Sequence, residues 1–332
     1  MILAQAVAIL ERVGSYSEPL GWLVVALFVA GALLEASDRD YARPVVVGAW
    51  VAFALFWLIL IPYFVVEQRS VIEGLGSVLA VPLSLYVGYV LARGRDSLFV
   101  LSRAVAIMGL VYLPFVAVET LRRPLIEIVT VHTETLMNLL GFRPEVADGL
   151  YIESRSGETL RIAEKAYPYR STFAFYRGDI PITYNIAIAC TGIGSMAILA
   201  GLIGAVPAPA RRKLRALAVS LPVIYVLNLV RNVFIGVTFG NQMTHVFPDV
   251  VMTVFALEND YMVSYIVSDR ILAQSASVVA LVAITWLVVR ELPEVLVVVE
   301  DVLYLATGQE YDLASAFDVE PAGSRGEPNP GD

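Results

Sequence analysis

The stretch Leu214–Phe239, LRALAVSLPVIYVLNLVRNVFIGVTF, reads as a membrane-crossing helix with a cation set inside it. A span needs about 20 mostly apolar residues, and this one supplies them around Asn228, Arg231 and Asn232. Arg231 decides the reading. An arginine near the centre of a span costs about 2.5–3.5 kcal/mol on insertion scales, so it calls for a partner and marks a candidate functional site.

Working outward, six further stretches have the same character: Pro19–Ala36, Pro44–Val66, Val71–Ala92, Ser97–Val118, Ile182–Val206 and Tyr265–Val289. Pro44, Pro181 and Pro207 fall at boundaries, whereas Pro62, Pro82, Pro114 and Pro222 lie inside and should kink their helices. The bulk composition agrees. Apolar residues make up 58% of 332 positions and charged residues 16%, with a mean hydropathy of +0.72, against roughly 25% charge in a soluble domain. Lipid must therefore replace water over much of the surface.

Between the fourth and fifth spans the pattern changes. Glu119–Leu140 places Leu121, Leu125, Ile128, Val129, Leu136, Leu139 and Leu140 among Arg122, Arg123, Glu127, His132 and Glu134, which predicts an amphipathic helix lying in the interface. Tyr151–Ser154 and Glu158–Ile162 flank Arg155-Ser-Gly157, a hairpin pattern. The expected fold is an all-α polytopic membrane protein of about seven transmembrane helices, with an extracytoplasmic amphipathic helix and a small β-hairpin loop between spans four and five. Its expected regions are a four-span part (1–118), the extracytoplasmic segment (119–181), a three-span core (182–290) and an acidic cytoplasmic tail (291–332).

Charge sets orientation and excludes some functions. From Glu291 onward ten acids face one base, Arg325, so the tail carries −9 of the net −8 and the rest is near +1. Glu320–Asp332, polar and rich in Pro and Gly, reads as disordered. An acid-rich exposed segment also suits a halophile. No basic face offers itself to nucleic acid. Short-loop arginines at 39, 43, 93, 95, 211, 212 and 215, with Lys213, favour a cytoplasmic C-terminus. The first thirteen residues lack the basic start of a cleavable signal peptide. A single cysteine excludes an intramolecular disulfide and a cysteine-rich metal site. His132 and His245 have no ligand neighbour at helical spacing, so neither a metal nor another cofactor is expected.

Topology then gathers three residues. Cys190 lies eight residues into span five, about 12 Å deep at 1.5 Å per residue. Arg231 sits at about the same depth on span six, and Arg270 at a similar or shallower depth on span seven. All three share the outer layer of the bilayer. Taken alone, Cys190 in Ala189-Cys-Thr-Gly-Ile-Gly194 could be small-residue packing, and Arg270 could snorkel. Together they suggest thiol chemistry. A guanidinium favours a thiolate nucleophile, and a second can stabilise the oxyanion formed when that thiolate attacks a carbonyl. Asn228 and Asn232 can orient Arg231, donate to substrate, or bond neighbouring helices. No histidine lies near, so protonation of a leaving amine would fall to Tyr184, Tyr261, Tyr265 or water.

At these positions the chain resembles the archaeosortase/exosortase family. The pattern consists of Ala189-Cys190-Thr191-Gly192, then Asn228-Leu-Val-Arg231-Asn232 on the next span, then Asp269-Arg270 opening the last core span. Many exosortases carry His at the third position, and Arg270 agrees instead with the haloarchaeal branch. The resemblance spans roughly residues 180–290. It implies catalytic Cys190, Arg231 and Arg270, with Thr191, Asn228 and Asn232 supporting them. It implies a cell-membrane transpeptidase facing outward, acting on surface proteins such as the S-layer glycoprotein. Their C-terminal signal would comprise a short motif (Pro-Gly-Phe in the haloarchaeal system), a transmembrane helix and a basic end. Cleavage through a thioester and transfer to a prenyl lipid acceptor would follow. A cysteine protease without transfer, a lipid-modifying acyltransferase, and a transporter or channel with arginines along an anion path are the other readings of the same residues.

Overall fold

The computed structural model describes residues 17–162 and 167–316; the expectations for residues 1–13 and for Glu320–Asp332 lie outside them. Among the described residues six helices are long and apolar enough to cross a membrane. In chain order the first four are α1 (Ser17–Glu35), α2 (Arg39–Pro62), α3 (Val71–Ala92) and α4 (Leu98–Ala117). The other two are α7 (Ala210–Gly240) and α10 (Gln274–Glu291), with the short helices α8 (Pro248–Phe255) and α9 (Met262–Tyr265) between them and α10 continuous with what precedes it from Met262. Pro62 gives way to a π-helical turn at Tyr63–Glu67 that ends α2.

The first four spans make their own core. Phe28, Trp50, Leu91, Leu98 and Phe99 are buried together, and the indole of Trp50 donates to Ser102 Oγ at 2.9 Å. Small residues bring the backbones close. A Cβ on Gly31 would stand 2.4 Å from Val46, and one on Gly109 would stand 2.4 Å from Val25, the close approach that membrane helices use where no hydrophobic drive exists between them.

The amphipathic segment is α5 (Glu119–Leu139). One face, with Ile126, Val129 and Met137, packs on the protein. Leu121, Ile128, Leu139 and Leu140 remain exposed, the apolar surface an interfacial helix offers to lipid. The hairpin forms as β2 (Tyr151–Glu153) and β3 (Thr159–Arg161), with Gly157 at positive φ in its turn. A second, three-stranded antiparallel sheet joins β1 (Glu145–Ala147), β4 (Thr172–Arg177) and β5 (Ile180–Asn185) in the order β1-β4-β5.

This sheet corrects the fifth span. Ile182–Val206 is not one helix. Its first residues belong to β5, and a 3-10 turn at Ile188–Thr191 leads into α6 (Ile193–Ala205). With 13 residues, α6 rises about 20 Å, less than the roughly 30 Å hydrocarbon core. Alternating apolar residues over Thr172–Arg177 and Ile180–Asn185 around Gly178-Asp179 hold the strands where a helix was expected. By contrast α7, at 31 residues, rises about 46 Å. Its last two turns stand against the sheet, where Tyr184 packs at Gly236 and Phe175 at Gly240.

Beyond α10, α11 (Leu296–Thr307) packs back on the bundle, burying Val298 and Asp301. Arg95 donates to Asp301 at 2.8 Å and to Glu310 at 2.6 Å. Part of the acid-rich C-terminal stretch is thus a paired, folded element.

A Cβ at Gly240 would lie 2.3 Å from the Phe175 ring, so Gly240→Ala is expected to displace β4 from α7. The expected loss is about 1–3 kcal/mol, read as a lowered melting temperature in detergent; an unchanged transition would contradict this packing.

Candidate active site

Cys190 is partly exposed on the 3-10 turn, not within a helix, so the predicted route to its depth is wrong. Its level is set by α7. The side-chain amides of Asn228 and Asn232 both donate to the Cys190 carbonyl, at 2.7 and 2.8 Å. These residues lie eight to twelve positions before Gly240, about 12–18 Å from the end of α7 by helical rise. Two donors on one carbonyl fix the main chain at the nucleophile candidate. The asparagines clamp Cys190 and make no hydrogen bond to Arg231 among the described residues.

Local sequence makes the turn. Thr191, fully buried, donates to the Ile188 carbonyl at 2.7 Å. Gly192 has φ +80°, and a Cβ there would lie 3.2 Å from Asn228. Both the left-handed backbone and the close approach require glycine. Tyr184 Oη donates to Asn232 Oδ1 at 3.3 Å, extending a chain from β5 through α7 to Cys190. Burial raises the Tyr184 phenol well above its ordinary range.

Arg231 finds its partner in Asp269. The guanidinium donates to Asp269 Oδ1 at 2.6 Å, with the carboxylate only 5% exposed. Asp269 and Arg270 lie on a π-helical segment, Ile266–Ala273, that precedes α10; such widened turns often occur at functional sites. Arg270 Nε lies 3.6 Å from Asp269 Oδ2, so one carboxylate stands between the two arginines. Arg270 also faces Glu73 at 3.7 Å and donates to Tyr265 Oη at 3.3 Å. Cys190 interacts electrostatically with Arg231, Arg270 and Tyr265. The three predicted residues are therefore brought together.

Two participants were missed, and a third, Asp269, was named beside Arg270 without a role. Asp269 was visible as a second charge in an apolar stretch, and pairing it with Arg231 needed only the rule that buried charges have partners. Glu73 comes from the first turn of α3, where the N-cap Ser70 accepts from its backbone N–H at 3.2 Å. Ser70 also bonds Gln274 at 3.0 Å, and Arg69 donates to the Phe255 and Ala256 carbonyls. No sequence signal announces that corner. Tyr167 stands near the Ile188 backbone and Cys190, and burial raises its phenol above the ordinary range. The guanidinium of Arg122 stands over its ring at 5.4 Å. Neither histidine joins the site: His132 pairs with Tyr225 at 2.6 Å and His245 with Asp260 at 3.2 Å. Among the described residues no cluster of metal ligands occurs.

A cavity of about 520 Å³ opens beside this cluster, from Gly192, Asn228 and Arg231 along Leu227, Leu272 and Ile284 of the apolar faces of α7 and the last span.

Asp269→Asn leaves Arg231 without a counter-charge in a desolvated place. The expected destabilisation is about 3–5 kcal/mol, read by thermal or denaturant unfolding, and stability equal to the wild type would show that the pair carries no such burden.

Comparison with known proteins agrees with this architecture. The model of the family described as transmembrane exosortase matches residues 15–259, a stretch that includes Cys190 and Arg231 and ends before Arg270. Archaeosortase A of Haloferax volcanii is 46% identical over 317 residues, covering 92% of this chain and 99% of that protein. Archaeosortase A of Natronomonas pharaonis is 39% identical over 306 residues, covering 91% of this chain and 93% of that protein. No solved structure matches. With its multiple apolar spans and these relatives, the chain is a multi-pass membrane protein that belongs to the transmembrane exosortase family.

Proposed function

We propose that this protein is an intramembrane cysteine transpeptidase. It cleaves the C-terminal sorting signal of surface proteins and passes them to a lipid acceptor. The observation that carries the reading is Cys190 held by two asparagine donors beside a pair of partly buried arginines that share Asp269. The relatives named archaeosortase A support it, since that name describes a sortase.

The chemistry proceeds from the residues. Cys190, as its thiolate, attacks the scissile carbonyl carbon. The carbonyl π electrons move to oxygen, and an arginine N–H stabilises that oxyanion. Collapse breaks the C–N bond and leaves a thioester on Cys190. The departing amine takes a proton from the Tyr167 hydroxyl, whose acidity burial lowers, leaving a phenolate. An amine or hydroxyl of the lipid acceptor then attacks the thioester, passes its proton to the Tyr167 phenolate and releases the Cys190 thiolate. The apolar groove along α7 and the last span receives the hydrophobic segment of the signal. The site faces the extracytoplasmic side, with the C-terminus in the cytoplasm, as the arginine-rich loops require.

The direct test is a co-expressed surface protein bearing a C-terminal Pro-Gly-Phe signal, followed for removal of its C-terminal helix and for incorporation of a lipid label. Cys190→Ala is expected to lose both, and Arg231→Lys to be reduced at least about 100-fold, because a point charge cannot reproduce the guanidinium fork. Processing by Cys190→Ala at the wild-type rate would refute the nucleophile; helix removal by wild type without lipid would make the protein a protease. Tyr167→Phe should lower kcat about 10²-fold with little change in KM. The loss should vanish with a substrate whose leaving group needs no proton; equal loss with both substrates would remove Tyr167 from the proton path.

A further inference from the structure

At the opposite end of the bundle from β4 and β5, a cavity of about 430 Å³ lies between α1, α4 and the corner joining α6 to α7. Its walls are apolar, with Val29, Leu33, Ile107 and Leu110 among them, and its two charged lining residues are Arg103 and Lys213. The two cations are close enough to repel one another. The nearby acid is Glu35, whose carboxylate stands 3.6 Å from Arg103 Nε and 3.7 Å from Arg39. Arg103 Nε is buried without a hydrogen-bond partner. Lys213 donates to the Gly204 carbonyl at 2.7 Å and has no acidic partner among the described residues. Its other ammonium hydrogens remain for another acceptor.

Two like charges facing one cavity, under-supplied with counter-charge and walled by hydrocarbon, are stabilised by an anion that carries an apolar tail. We propose that this cavity is a binding site for an anionic membrane phospholipid, with the phosphate on Arg103 and Lys213 and one chain along Val29, Leu33, Ile107 and Leu110. Basic pockets between transmembrane helices take such headgroups on general electrostatic grounds. The mouth adjoins the first turns of α7, where exposed Arg211 adds attraction for an anionic surface, while Arg212 and Arg215 pair with Glu294 and Glu291. Gly204 shapes the mouth: a Cβ there would stand 2.9 Å from Ile107 Cδ1, so a larger residue would press on the chain-binding wall. The site is distinct from the Cys190 cluster and does not depend on the reaction assigned to it.

Lys213→Gln is the primary variant, because the Gln amide can still donate to Gly204 while Arg103 keeps its place beside Glu35. Ala32→Phe, on the cavity wall, obstructs the chain and leaves both charges. The full chain in detergent is titrated with phosphatidylglycerol, with the uncharged lipid dioleoylglycerol, and with inorganic phosphate. Retention is read by native mass spectrometry and stabilisation by thermal shift. Wild type is expected to retain phosphatidylglycerol and gain melting temperature. Dioleoylglycerol and phosphate should do neither. Lys213→Gln should weaken retention about fivefold, Lys213→Arg should restore it, and Ala32→Phe should weaken it without loss of fold. Equal retention by wild type, Lys213→Gln and Ala32→Phe would overturn the proposal. Equal stabilisation by phosphate alone would reassign the cavity to a free anion and also overturn it. Should Lys213→Gln fail to fold, Ala32→Phe decides the matter by the same readings.

Discussion

The ion pair between Arg231 and Asp269 is the constraint on which this architecture turns. A guanidinium carried on a membrane helix must be neutralised or reach water, and here it meets a carboxylate on the last span at 2.6 Å. The pair fixes the rotation of α7 relative to the π-helical segment. That places Asn228, about one turn before Arg231, and the adjacent Asn232 towards the carbonyl of Cys190. It also leaves Asp269 with a second oxygen facing Arg270. Rotation of either helix would leave a charge in hydrocarbon, so the cluster is held by a cost that no single hydrogen bond could impose.

The pair also changes how the two arginines are understood. An arginine held only by a thiolate would lose its partner whenever the sulfur became acylated. Asp269 keeps the guanidinium groups in place through every state of Cys190, which suits groups that stabilise charge on the reacting atoms. Glu73, reached through the Ser70 cap and the Gln274 contact, gives Arg270 a further acid from the first half of the chain. The four-span region therefore supplies part of the site's electrostatics as well as a scaffold.

Much of this was legible in the sequence because the strongest signals are physical prohibitions. Long apolar runs bounded by charge define spans, and Arg231 within one of them demands attention. The amphipathic pattern of 119–140 and the Arg155-Ser-Gly157 turn were legible for the same reason. The fifth span was not. Ile182–Val206 is apolar throughout, and hydropathy cannot distinguish a buried strand from a helix; the Gly178-Asp179 turn and the alternation around it were the available cue. A single helix through Ile182–Val206 therefore carries Cys190 on the wrong element: it sits on the 3-10 turn, held from α7. Glu73 and Tyr167 lay beyond reach, because only the packing of α3 and of the loop before β4 brings them to residues far along the chain.

The proposed transfer requires a covalent bond between Cys190 and the cleaved protein. The measurement is acid quenching during turnover of a signal-bearing substrate, followed by mass analysis of the peptide containing Cys190 with and without hydroxylamine. An acyl adduct on Cys190 that hydroxylamine removes is the predicted result. Product formation with Cys190 unmodified at every time point, in wild type and in a variant slowed at the second step, would contradict it.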